Sequence, residues 1–369
     1  MILDRVRNKL RIRSDLARCV LCEFCCTFIF MYIGFCVNAN AVLTRKPASE
    51  YFTIHFGWGI SLFFAVQMGF RISGSLINPA ISLFMFSFGH IGFAKFLCYV
   101  IVQFFGTFCA AAVAFLTYYD GINEFDGGIR QVYGPNATAG IFGTYPREYL
   151  SVGGAIWDQI ACSAALGIMV SLVTDRRNKI PLFLQPFYIG FMMLITGISL
   201  ANAGNAMNPA RDFSPRLFTW IVGYGSEVWS YNNYCWFWIP LVFPFIGAGL
   251  GAWLYHLLIG IHIWNKEDEE KTPILPISIK PPLRSHAMVT VLQVVALLLS
   301  ALLFVQSMAQ IIDAAPEEDI LLIPRLRRNA LMFSKLHRQQ AWPFVTDKRY
   351  EYPKRVVVNA LFGRDRIFQ

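Results

Sequence analysis

Apolar residues along the chain gather into six long runs, at about 19–39, 51–72, 92–119, 153–174, 181–202 and 235–262. Each is close to the ~20 residues that an α-helix needs to cross a bilayer. Two further apolar stretches, 79–88 and 209–220, are too short to span. Both follow the same triplet, Asn78-Pro79-Ala80 and Asn208-Pro209-Ala210. The order is therefore three spans with one short helix among them, and then the same again. An odd number of spans per unit turns the second unit upside down in the membrane. The pattern predicts an all-α membrane protein built as an inverted repeat, with six transmembrane helices plus two half-helices that meet at the midplane. The first repeat covers 19–119, the second 152–262, and together they make one domain over 19–265.

Proline is at home at the first position of a helix, where its missing N–H is not needed. Each triplet thus reads as a helix start with Asn78 or Asn208 as N-cap. A helix start inside hydrocarbon is tolerated only where it lines a cavity or is buried in protein. Two unrelated proline kinks are the alternative. Against them stands the repetition of tripeptide, flanks and position at one offset, 208 − 78 = 130. Smaller echoes agree with a duplication. Glu23 enters the first span and Asp158 the fourth, and Gln103-Phe-Phe-Gly106 is answered by Pro244-Phe-Ile-Gly247. The glycines suggest close helix contact. Buried acids of this kind are either ion-pathway groups or acceptors for the loops that carry the triplets, and the second role is favoured.

Charge sets the orientation. Only 15% of the 369 residues are charged and 56% are hydrophobic, whereas soluble domains carry about 25% charged residues. Much of the formal +9 lies in an arm over 1–18, at Arg5, Arg7, Lys9, Arg11, Arg13 and Arg18, and in the chain after Arg325. That arm and the loop Asp175-Arg176-Arg177-Asn178-Lys179 are expected on the cytoplasmic side. Six spans satisfy both and place segment 120–151 outside, where Asn136-Ala137-Thr138 has the form of a glycosylation acceptor. No folded basic surface accompanies the charges, so nucleic acid is a poor partner. The nine cysteines lie mostly in apolar runs. Cys19, Cys22, Cys25 and Cys26 crowd the first span, with no second pair or histidine cluster to make a zinc knuckle. They read as small apolar residues, with palmitoylation of Cys19 or Cys22 as the alternative. No metal or cofactor is expected.

Residues 266–287 form a charged, Pro-rich linker. The tail 288–369 opens with an apolar stretch over 288–310, followed by a basic segment expected to be disordered. Two accounts stay open. The stretch is a seventh span, or it is a leader ending at Ser307-Met308-Ala309. The pairs Arg327-Arg328, Lys348-Arg349 and Lys354-Arg355 and the run Leu361-Phe362-Gly363-Arg364 resemble a neuropeptide precursor, as if a second reading frame were fused to the first.

With its paired Asn-Pro-Ala triplets, Arg211 and Asp212, residues 19–262 resemble the aquaporin superfamily, and within it the animal aquaglyceroporins. Phe142-Gly-Thr-Tyr-Pro146, Asp158-Gln159 and Asp175-Arg-Arg-Asn178 are also similar to that branch. The resemblance implies a passive channel for glycerol and water, assembled as a homotetramer in the plasma membrane. It implies a selectivity filter at Trp58, Arg211, Asn205 and Gly197 (or Thr196), with Asp212 as the marker of the glycerol-conducting branch.

Two helix N-termini meeting head to head each carry about half a positive charge, and the Asn amides donate to a passing hydroxyl. Cations meet repulsion and find no replacement for their hydration shell, as in other aquaporin-type pores. Arg211 stays charged, and the Trp58 ring offers the carbon backbone of a polyol an apolar wall. Asn205 stands where family filters often carry a bulkier side chain, which opens the way to urea and other small neutral solutes. Leu76 takes the place of a histidine usual in the family. A water-selective channel is the nearest alternative and a coupled transporter the alternative of another class. No nucleophile stands with His55 or His90 to make an enzyme.

Overall fold

A computed structural model describes residues 2–44 and 47–264. The expectations for 266–287 and 288–369, including the seventh span and the precursor-like tail, lie outside the described residues. Eleven α-helices follow in order among those described: α1 (Ile2–Leu10), α2 (Asp15–Thr44), α3 (Pro47–Gly69), α4 (Pro79–Ser87), α5 (Phe93–Thr117), α6 (Tyr119–Asp126), α7 (Val152–Thr174), α8 (Gln185–Ser199), α9 (Pro209–Thr219), α10 (Glu227–Ser230) and α11 (Ile239–Leu258). Helices α2, α3, α5, α7 and α11 contain stretches long and apolar enough to cross a membrane, and α8 is a shorter apolar helix.

Helix α8 has 15 residues, about 22 Å at 1.5 Å per residue, although the apolar run around it extends over 181–202. Its far end stops because the next backbone N–H groups turn elsewhere. Asn202 and Ala203 donate to the Asp158 carboxylate at 3.2 and 3.0 Å. At the N-terminus the basic arm is partly helical, as α1. A break at 11–14 separates it from α2, where the Ser14 hydroxyl accepts from the Ala17 N–H at 3.3 Å.

Packing follows the duplication. Helix α2 lies on α5 in the first repeat as α7 lies on α11 in the second, and α3 meets α8 across the middle. The half-helices cross over: α4 packs on α11, and α9 on α5. Contact between α7 and α11 depends on glycine. A Cβ at Gly247 would strike the Ile160 carbonyl, one at Gly251 the Ala164 carbonyl, and one at Gly167 the Ala248 carbonyl. With backbone on both sides of the contact, any side chain there forces the helices apart. One apolar core runs through both repeats, including Phe35 of α2, Trp58 of α3, Phe84 of α4, Leu166 of α7 and Ala248 of α11.

Candidate functional site

The two triplets face each other at the centre. Asn78 is extended (φ −147°, ψ 120°) and its side-chain oxygen accepts from the Ala80 N–H at 2.9 Å. Asn208 (φ −144°, ψ 111°) accepts from Ala210 at 3.0 Å and Arg211 at 3.3 Å. Both are N-caps with proline directly after them. Capping holds each amide oxygen, so the NH2 group points away from its own helix. One hydrogen of each then crosses to the other repeat: Asn78 donates to the Met207 carbonyl and Asn208 to the Ile77 carbonyl, both at 2.9 Å. An amide NH2 has two donors, so the second of each is left to a solute.

The loops before the triplets share one unusual backbone. Gly74, Ser75 and Ile77 have φ of 92°, 48° and 57°, and their counterparts 130 positions on, Gly204, Asn205 and Met207, have 89°, 52° and 47°. A left-handed conformation costs an L-residue roughly 1–2 kcal/mol, and for a β-branched residue such as Ile77 it is rare. Buried acceptors hold the strained loops in place. Glu23 takes the Ser73 hydroxyl at 2.7 Å, the Leu76 and Ile77 N–H groups at 2.9 Å each, and the Gln103 amide at 3.0 Å. In the second repeat the task is divided. Asp158 takes Asn202 and Ala203, and Gln159 accepts from Met207 at 3.3 Å. Both acids therefore bind loop backbone.

Two cavities meet here. The inner one, about 240 Å³, has an apolar wall that includes Phe30, Val66, Leu166, Val170 and Ile189, and Asn78 and Asn208 lie on its polar side. The outer one, about 280 Å³, is lined by Trp58, His55, Asn205 and Arg211 among others. Arg211 and Met193 border both. The Arg211 guanidinium lies over the Trp58 ring at 4.7 Å and donates to the Phe142 carbonyl at 2.6 Å. Trp58 in turn donates to the Asn38 side chain at 2.9 Å, and Asn38 to the Ile141 carbonyl at 3.0 Å. Polar donor and aromatic wall are thus adjacent, in cation–π contact, not on opposite sides of the opening. Asn205 is buried, and its side-chain oxygen has no hydrogen-bond partner.

Other expected positions fall elsewhere. Gly197 and Thr196 do not line either cavity. The His55 ring lies against Gly197 in the space that a Cβ would need, so at this level His55 forms the wall. Thr196 turns its hydroxyl back to the Met192 and Met193 carbonyls. Asp212 is fully buried and faces away from the pore. It accepts from the Thr144 N–H at 2.7 Å, from the Thr144 hydroxyl, and from Arg216 at 2.8 and 3.1 Å. Asn136 is half-buried on the loop between α6 and α7, while the hydroxyl of Thr138 is engaged with Asp126 and Tyr224. Sequence reasoning missed His55 and Asn38 as lining. The spacing from His55 to Trp58 is one helical turn, a signal that could have found the first.

Comparison with known proteins agrees with this architecture. The family model described as Major intrinsic protein matches residues 11–255. The chain is 43% identical over 266 residues to Aquaporin-9 of Mus musculus, covering 72% of this chain and 90% of that one. It is 43% identical over 271 residues to Aquaporin-4 of Milnesium tardigradum, covering 73% and 77%. The X-ray structure of the aquaglyceroporin from Plasmodium falciparum superposes with a TM-score of 0.60 at 24% identity, covering 67% of this chain and 98% of that one, and so shares the fold. From its duplicated half-helix architecture to these matches, the chain belongs to the major intrinsic protein family, the aquaporins.

Proposed function

We propose that this multi-pass membrane protein is a passive channel for glycerol and water, on the aquaglyceroporin branch, with urea and other small neutral solutes as further cargo. The observation that carries this is the inner cavity: one apolar wall and, across it, two capped asparagines whose amide oxygens are held by backbone. A polyol can place its C–H edge on the wall and pass its hydroxyls along the donors. Cations meet two helix N-termini and Arg211. The filter is formed by Trp58, Arg211, Asn205 and His55, with Gly197 behind His55.

A coupled transporter needs ion ligands near its broken helices. The carboxylates nearest the triplets, Glu23, Asp158 and Asp212, are instead committed to loop backbone and to Arg216, which supports the passive reading. The exposed apolar side chains on α3, α5 and α8 suit lipid or sister subunits in a homotetramer. A cytoplasmic N-terminus, residence in the plasma membrane and glycan attachment at Asn136 before the outer loop folds complete the proposal.

The full chain in proteoliposomes tests it. Osmotic swelling and labelled-glycerol uptake should both rise over empty vesicles and ignore sodium and proton gradients. Flux that requires either gradient overturns the channel, and swelling without glycerol uptake reduces it to a water pore.

A further inference from the structure

Helix α2 carries two thiols one turn apart on its inward face, Cys22 and Cys26, with Sγ atoms 3.8 Å apart. Two metal–sulfur bonds of about 2.3 Å at a tetrahedral angle span about 3.8 Å. Ligands four residues apart on one helical face are a recognised way of holding such an ion. The surroundings close on the pair from two other elements. The Ser75 hydroxyl donates to the Cys26 sulfur at 3.4 Å, and Cys22 donates to the Gly69 carbonyl, at the end of α3, at 3.7 Å. Gly69 has no room for a side chain: a Cβ there would overlap the Ser75 oxygen and both sulfurs. Cys22 is half-buried and Cys26 buried, while Cys25 of the same turn is exposed on the outer face.

The geometry points to a binding site for a thiophilic divalent d10 ion, of the zinc or cadmium class, on Cys22 and Cys26, with the Ser75 hydroxyl and water completing a tetrahedron. Soft thiolates favour such ions. On binding, two metal–sulfur bonds form and two S–H bonds break. Two protons leave to water, and no oxidation state changes. Ser75 also lines the inner cavity, and the next residues of its loop hang on Glu23. An ion that draws the Ser75 hydroxyl toward α2 therefore acts on the inner mouth of the pore and lowers flux. This last step rests on the channel function; the binding itself does not.

Full-length protein, reduced with a phosphine, is titrated with Cd2+. One ion per chain should produce the ultraviolet thiolate-to-cadmium charge-transfer band and release about two protons. Cys22→Ser and Cys26→Ser should each weaken binding at least about tenfold, since even an outer-shell loss costs 10–100-fold, and Cys25→Ser should leave it unchanged. In the unmutated protein, Cd2+ should protect Cys22 from alkylation, which reads the site without any variant. Binding that survives in both serine variants, or Cys22 alkylated equally with and without Cd2+, overturns the site. Binding with unaltered glycerol flux removes only the coupling to the pore, and absence of flux without Cd2+ indicts the channel function instead.

Discussion

The side chain of Asn78 and the carbonyl of Met207, 129 positions apart, are joined by a 2.9 Å hydrogen bond, and Asn208 returns the same bond to Ile77. Each repeat thus fixes the orientation of the other's amide. The donors that face a solute are set before any solute arrives, which is the condition for a low barrier in a pore that must also release its cargo.

Arg211→Val removes the charge from the outer constriction and the donor from the Phe142 carbonyl. Cation or proton current through planar bilayers should rise while glycerol flux is kept. Currents equal to those of the unmutated protein would show that the barrier lies at the paired half-helices alone.

Asn205→Phe fills the outer cavity with a bulkier side chain. Uptake of urea and of polyols longer than glycerol should fall by about tenfold or more, the scale of one pocket contact, with water flux little changed. The substitution also places a ring at a residue with φ of 52°, a conformation that asparagine tolerates better, so some loss of Tm accompanies it. Equal loss for all solutes would indicate blockage or collapse of the loop.

Asp212→Asn leaves Arg216 buried without its counter-charge; Arg216 also donates to the Thr144 and Val228 carbonyls at 2.6 and 2.9 Å. Breaking a buried pair from one side costs about 3–5 kcal/mol. A large drop in thermal stability in detergent is expected. A shift in solute preference at unchanged stability would mean that Asp212 acts on the pore directly.

Glu23→Gln keeps the size of the side chain but turns an NH2 group toward donors. Loss of an acceptor for buried N–H groups costs about 1–3 kcal/mol or more. A fall in Tm together with slower glycerol flux is expected, since Leu76 and Ile77 lose their anchor; unchanged flux at lowered Tm would separate the anchor from the pore.

Asp175 lies beyond the end of α7, where hydrogen bonds and the charge of Arg177 hold its carboxyl below the ordinary 3.8. The native state therefore gains stability while Asp175 is ionised, fully so above about pH 5, and loses it as pH falls through the lowered value. Arg177 is partly exposed, so the gain is about 1 kcal/mol or less. The stability difference between the unmutated protein and Asp175→Asn should be present at pH 7 and close in strong acid. A gap that widens in acid would reverse the assignment.

The spans and half-helices were legible because hydrocarbon demands long apolar runs and because a proline after asparagine has few uses in the middle of one. The ends were less legible. Apolarity continues from 181 to 202, yet α8 stops at Ser199, because the chain is turned by a carboxylate more than forty residues away. His55 was not legible as lining for a related reason: nothing local tells a histidine on an apolar helix that it will pack against Gly197 and so border the cavity. Asp212 could be located from its neighbours, but that its charge faces Arg216 and Thr144 and not the solute depends on the fold of loop 142–146.

The crossing of the half-helices, α4 onto α11 and α9 onto α5, also bears on how the molecule comes into being. When the ribosome has finished the first repeat, α4 can rest on α5, but its other neighbour, α11, has not been made. The Met207 carbonyl that the Asn78 amide bonds, and the face of α11 that α4 meets, both come only with the second repeat. The clasp closes only when both repeats are present, since each asparagine amide takes its partner carbonyl from the other.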